Sequence, residues 1–183
     1  MNLEVRYSNH YEDVKHYDTE TLRKHFLVEK VFVPGEIKLV YSHNDRIIFG
    51  GITPTTEALK LEGSKELAAT YFLERRELGA INIGGDGIVT VDGKDYTVNN
   101  GDAIYVGMGT KEISFSAKDS KNPPKFYMNS ATAHKNYPTV LISYDDANHK
   151  PLGSLEDCNK RTINQYIHDE VFARLSQRDG IEY

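Results

Sequence analysis

Two arginines flanked by two glutamates, Glu74-Arg75-Arg76-Glu77, stand at the end of an apolar stretch of this 183-residue sequence. Neighbouring side chains of a strand point to opposite faces, so one Arg and one Glu of this cluster face inward. A guanidinium recognises a carboxylate through two parallel hydrogen bonds, which suits an anionic substrate; a salt-bridged rim or a subunit interface uses the same residue types. A second group, His43, Asp45 and Arg46, lies in YSHNDRIIFGG, where a polar turn between two strands accounts for it equally well. KRTIN, which contains Arg161, is a third polar patch with the same two readings. His43, Arg46, Arg75, Glu77 and Arg161 are thus the candidate substrate-binding or interface residues.

Other residue types give weaker signals. Gly84, Gly85 and Gly87 follow the charged cluster in ERRELGAINIGGDGIVTVDG. A phosphate-binding loop needs a helix to leave the glycines, because the helix N-terminus presents free N–H groups to the anion. Here Ile88, Val89, Thr90 and Val91 follow instead, a β-branched run that favours strand. None of the seven histidines shows the pair spacing of a local metal site, although ligands from distant strands can converge. Cys158 is the only cysteine; it lies in a polar stretch with no histidine fixed beside it, and reads as a bystander thiol.

The elements that would position these residues are mostly strands. LVEKVFVP, EIKLVYSH, RIIFGGI, ATYFLER, GAINIG, GIVTVDG, KDYTV, DAIYVG, KEISFSA and KFYMNS are short β-rich segments separated by Gly, Pro, Asn or Asp, the spacing of a sandwich or barrel. IVTV-DG-KDYTV reads as a hairpin with a type I′ turn, which pairs Val91 with Lys94 and Val89 with Tyr96 and puts Val89, Val91, Tyr96 and Val98 on one face. Asp18 or Thr19 caps a short helix in DTETLRKHFL. After Pro138, SYDDANHKPLGSLEDCNKR reads as a polar surface connection, followed by RTINQYIHDEVFARLSQ, a strand and then a short helix with Ile167, Val171 and Leu175 at helical spacing. The expected organisation is a lead-in with a short helix over 1–30, a barrel over 31–138, and a connector over 139–183.

Composition removes several function classes. With 22 Lys+Arg against 27 Asp+Glu and no basic run, the electrostatic footprint of nucleic-acid binding is missing. No apolar stretch approaches the roughly 20 residues that a membrane-spanning helix needs. The start lacks the apolar core of a secretory signal, and one cysteine forms no internal disulfide, so the cytoplasm is the expected compartment. Twelve tyrosines and no tryptophan fit a sheet-rich oligomer.

The sequence also follows the frame of the cupin pattern. Glu77 and Gly84 match its Glu-x6-Gly spacing, and GDAIYVGMGTKE, residues 101–112, resembles its second block. Where that pattern has His-x-His, this chain has Thr70 to Leu73 (TYFL), and Glu112 stands where the second block ends in His. Apolar and aromatic side chains do not replace imidazole as metal ligands, so the resemblance implies an all-β, cupin-type (jelly-roll) barrel without metal, in which Glu77 occupies a ligand's place without its histidine companions.

HFLVEKVFVPGE, LVYSHNDRIIFGGI, YFLERRELGAINIGGDGIVTVDG, DAIYVGMGTKE and KRTINQYI together resemble the 5-keto-4-deoxyuronate isomerase family (4-deoxy-L-threo-5-hexosulose-uronate ketol-isomerases), from about Thr19 to Ile167. The resemblance implies a bicupin, assembled as a hexamer, that isomerises a pectin-derived sugar acid to 3-deoxy-D-glycero-2,5-hexodiulosonate in the cytoplasm. It also implies a zinc site of three His and one Glu on the second barrel, in a segment similar to HTHERR that no position here matches. On this reading the zinc ligands are expected beyond Tyr183, this chain holds no metal itself, and its barrel is structural. Two rival readings are a non-catalytic module for sugar-acid binding or self-assembly, and a metal-dependent isomerase using scattered residues such as His43, His134 and Glu112.

Overall fold

The computed structural model describes residues 1–179, so the last four residues of LSQRDGIEY lie outside the described residues. The elements run β1 (Asn2–Arg6), α1 (Tyr11–Val14), α2 (Thr19–Phe26), β2 (Glu36–Ser42), β3 (Ile48–Thr53), β4 (Leu59–Leu61), β5 (Arg76–Asn82), β6 (Gly87–Val91), β7 (Lys94–Val98) and β8 (Ala103–Val106). They continue with β9 (Ile113–Ala117), β10 (Phe126–Thr132), β11 (Val140–Ile142), β12 (Asn148–Leu152), β13 (Arg161–Gln165) and α3 (Asp169–Asp179). A seven-stranded sheet in the order β1-β2-β3-β10-β5-β8-β11 faces a four-stranded sheet in the order β4-β9-β6-β7. This is the all-β, cupin-type architecture expected.

Period-two patterning builds the space between the sheets. Leu39, Ile48, Ile52, Leu78, Ile104, Phe126 and Met128 from the large sheet meet Leu61, Val89, Val98, Ile113 and Phe115 from the small one, all of them buried. The Phe115 and Phe126 rings meet across the gap with centroids 5.1 Å apart. This barrel is therefore packed with apolar side chains.

Local chemistry sets several elements as expected. The β6–β7 hairpin has the predicted register, Val91 opposite Lys94 and Val89 opposite Tyr96, and its turn residues Asp92 and Gly93 both take positive φ, as a type I′ turn requires. Asp18 caps α2 by accepting a hydrogen bond from the Thr21 amide. The glycines of the ERRELGAINIGG stretch serve close approach. A Cβ at Gly85 would lie 1.9 Å from the Asn122 carbonyl oxygen, and one at Gly84 2.5 Å from the Lys125 nitrogen, so the 122–125 backbone passes where side chains would otherwise stand.

Four expectations are corrected. LVEKVFVP is not a strand: it crosses the face of β3, with the Val31 carbonyl where a Cβ of Gly51 would be, so it packs on the sheet instead of pairing with it. ATYFLER is a turn, because consecutive Phe72 and Leu73 are both buried and alternation is lost. The polar stretch after Pro138 contains β12, which pairs with β13 as a separate two-stranded sheet, and Ile167 precedes α3 instead of joining its face, while Val171 and Leu175 are buried. The large sheet also draws on both flanks of residues 31–138: β1 lies parallel to β2, and β11 pairs with β8.

Candidate functional site

β5 carries most of the charged chemistry, and its alternation sorts the cluster. Arg76, Leu78, Ala80 and Asn82 point into the barrel, whereas Glu77, Gly79 and Ile81 face outward. Arg76 is 5% exposed. Its Nε donates to Ser130 Oγ at 3.1 Å, and its terminal nitrogen donates to the carbonyls of Arg46 at 2.6 Å and Ser130 at 2.8 Å. Its guanidinium also lies 5.7 Å from the centre of the Tyr41 ring. No carboxylate pairs with it among the described residues. Burial pulls its pKa below the usual arginine value, with Arg46 acting in the same direction and Tyr41 opposing.

Glu77 does not occupy an inward ligand position. Its carboxylate lies on the outer face of the large sheet and accepts a hydrogen bond from the Tyr105 hydroxyl at 2.7 Å. The cupin frame is thus matched in spacing, but its glutamate is one residue out of phase with the barrel interior. Arg75 is exposed and pairs loosely with Glu74 at 3.5 Å; the buried arginine is its neighbour, Arg76. His43 stacks between Tyr7 and Tyr41 at the exposed β2–β3 turn, with ring centroids 4.6 Å and 4.8 Å away. Arg46 sits in the same turn at φ 54°, and what the fold uses of it is its carbonyl, held by Arg76. Arg161 begins β13, exposed, and donates to Asn159. These residues are not drawn to one point, and of the five only Glu77 lines the cavity described next.

That cavity lies on the outer face of the large sheet. It has a volume of about 340 Å³ and is floored by Gly79, Ile81, Ala103 and Tyr105, with Tyr127, Tyr166 and Ile167 around it. A second lobe of about 280 Å³ shares Glu77, Tyr105 and Ile167 with it and adds Tyr137 and Phe172. Two features shape the floor. Ile167 Cδ1 stands 2.4 Å from where a Gly79 Cβ would be, so glycine there lets the residue before α3 seat on the sheet. Behind it, Tyr105, Val140, Ile142, Val171 and Leu175 form a small second core that fixes α3.

Tyr105 and Tyr127 were not singled out in the sequence, nor was Arg76 separated from Arg75; the available signal for Arg76 was its two-residue step from Leu78. Burial pushes the Tyr105 phenol above its ordinary value, and the Glu77 hydrogen bond and charge add to this. Because the folded protein favours the protonated phenol, the stabilisation is complete below the ordinary value of 10.0 and is lost as pH rises beyond it toward the folded value. In an alkaline titration followed by phenolate absorbance, replacing Tyr105 with Phe is therefore expected to remove a late-titrating component and leave the earlier ones unchanged. Removal of an early component instead would contradict this environment.

The remaining block of the cupin frame is also structural. Gly101 takes φ 87°, and Asp102 accepts hydrogen bonds from the Asn99 amide, the Asn99 side chain and the Tyr144 amide, tying the β7–β8 loop to the segment after β11. Glu112 pairs with Lys60 on the surface. Among the described residues no three His, Cys, Asp or Glu side chains are gathered so as to hold a metal ion, so His43, His134 and Glu112 do not converge and the residues present do not fit zinc. No helix among the described residues is long and apolar enough to cross a membrane.

Comparison with known proteins agrees with the frame. The chain is 51% identical over 169 residues to 4-deoxy-L-threo-5-hexosulose-uronate ketol-isomerase 2 of Enterococcus faecalis, covering 92% of this chain and 61% of that protein. It is 48% identical over 180 residues to the ketol-isomerase of the same description from Lacticaseibacillus paracasei, covering 98% and 64%. The chain thus spans less than two thirds of the length of these curated relatives. An IolB-like protein from Salmonella typhimurium LT2 shares the fold at TM-score 0.50 and 16% identity, over 64% of this chain and 43% of that one. The KduI/IolB family model matches residues 26–176, and the chain belongs to that family.

Proposed function

We propose that this chain forms the non-catalytic barrel of a cytoplasmic ketol-isomerase that converts 4-deoxy-L-threo-5-hexosulose uronate to 3-deoxy-D-glycero-2,5-hexodiulosonate in pectin breakdown, within a homo-oligomer, a hexamer by family resemblance. The similarity to named ketol-isomerases supports the reaction. The observation that carries the barrel's role is its filled interior: Phe72, Leu73, Phe115 and Phe126 are buried at 0–2% exposure in the space where a cupin reaction centre would lie.

Moving a proton between C2 and C1 through an enediol requires a base for the carbon-bound proton and an electrophile for the developing oxyanion. Glu77 faces away from the barrel interior, and Arg76 is committed to Ser130 and the Arg46 carbonyl, so neither serves a reaction centre inside this barrel. Zinc, the family's expected cofactor, does not fit the described residues, and this reading assigns its ligands to residues outside this sequence. The test is to purify the 183-residue chain and measure zinc content, isomerisation and mass in solution. The expected result is an oligomer with neither stoichiometric zinc nor turnover; stoichiometric zinc with full turnover would overturn the reading.

A further inference from the structure

We infer that the Glu77–Tyr105 cavity binds an organic monocation, an ammonium or guanidinium group carried on a short apolar stem. The cavity joins three properties that select such a ligand. Among the described residues its one charged group is Glu77, which is half-buried and accepts a single protein hydrogen bond, from Tyr105. Among the described residues no lysine, arginine or histidine lines either lobe and none pairs with Glu77; the Lys135 ammonium lies 4.8 Å from the centre of the Tyr137 ring. A carboxylate placed in this way gains most from a charged donor, because charge-assisted hydrogen bonds are about twice as strong as neutral ones.

The walls supply the rest. Tyr105, Tyr137 and Phe172 line the smaller lobe with Glu77, Tyr127 and Tyr166 line the larger one, and aromatic faces attract cations through their quadrupoles. The floor of Gly79, Ile81 and Ala103 and the flanking Ile167 offer apolar surface for a stem of a few carbons. A volume of about 340 Å³ falls at the lower end of the range for small-ligand sites, roughly 300–1,000 Å³. A uronate carries the wrong charge for this cavity, so the inference stands apart from the isomerase reading. The cation can be a free amine or the Lys or Arg side chain of a second copy of this chain; the chemistry of the cavity is the same for both.

Calorimetric titration of the intact chain with propylguanidinium and butylammonium chlorides tests it, with butyrate and butanol as matched controls. Both cations are expected to bind and neither control to do so. Glu77→Gln should weaken propylguanidinium binding about tenfold or more, the loss of a charge-assisted contact, with folding checked by circular dichroism. Ile167→Lys, at a 53% exposed position, should block added cation by placing a tethered ammonium beside Glu77, which keeps the test open if Glu77→Gln folds poorly. Butyrate or butanol binding as well as the cations, no binding by the unmodified chain, or added cation binding Ile167→Lys undiminished would each overturn the inference. Light scattering with and without propylguanidinium separates the sources: dissociation of an oligomer supports a partner side chain, and an unchanged mass supports a free amine.

Discussion

Replacing Asn82 with Leu is expected to lower stability by about 4 kcal/mol, enough to leave a large unfolded fraction in a protein of ordinary stability. The reason is the number of backbone groups that one side chain satisfies. Asn82 is fully buried; its Nδ2 donates to the carbonyls of Gly85 at 2.7 Å and Val98 at 2.9 Å, and its Oδ1 accepts from the amides of Gly84 at 3.0 Å and Lys125 at 3.1 Å. Leucine fills a similar volume and satisfies none of the four, and each buried orphan costs about 1–3 kcal/mol before relaxation. Asn82→Asp is expected to be nearly as damaging, since it keeps the acceptor, loses both donated bonds and buries a charge. Urea unfolding measures both; a loss below about 1 kcal/mol for Asn82→Leu would show that the surrounding turns re-form their hydrogen bonds without it.

The second large effect is expected at Arg76. Arg76→Ala leaves the Arg46 carbonyl, the Ser130 carbonyl and Ser130 Oγ without their donor and opens space beside Tyr41, at a cost of about 2–4 kcal/mol. Lysine is not expected to rescue, because its compact ammonium does not reproduce a fork that reaches strand β10 and the β2–β3 turn together. The turn reports the change specifically. Asp45 and Arg46 hold φ values of 53° and 54°, strained for non-glycine residues, and the Arg76 bond to the Arg46 carbonyl helps to maintain them. Amide hydrogen exchange should therefore accelerate at Ser42, which donates to the Ile47 carbonyl, more than in the β6–β7 hairpin. Equal acceleration in both places would mean that Arg76 acts only through global stability.

These two residues show why the cluster around β5 was only half legible. Strand alternation states that Arg76 and Glu77 face opposite ways, and the structure obeys it. It does not state which face is the core, because both faces of this strand carry small and apolar residues: Leu78 and Ala80 on one, Gly79 and Ile81 on the other. Nor does the Glu-x6-Gly spacing resolve the phase, since a frame that counts residues is blind to the direction of a side chain. The consequence is chemical. A glutamate in the barrel would be a metal ligand in search of partners, whereas the same glutamate outside it is a carboxylate held by the Tyr105 hydroxyl in an aromatic cavity.

The glycines make the converse case. The β-branched run that follows them excludes a phosphate-binding loop, yet the reason for glycine at Gly84 and Gly85 lies some forty residues away, where the backbone of Asn122 to Lys125 presses against them. Sequence alone determined what depends on neighbours along the chain: the strand-rich composition, the Asp92-Gly93 hairpin and its register, the Asp18 cap, and the family's diagnostic stretches. Tertiary structure decided what depends on which surfaces meet: that the two sheets close over an apolar interior, that Arg76 and not Arg75 is buried, and that the cavity lies behind the large sheet under Ile167. Turn geometry and capping are local energies of a few residues. The inward face of a strand is set only when a distant sheet arrives to cover it.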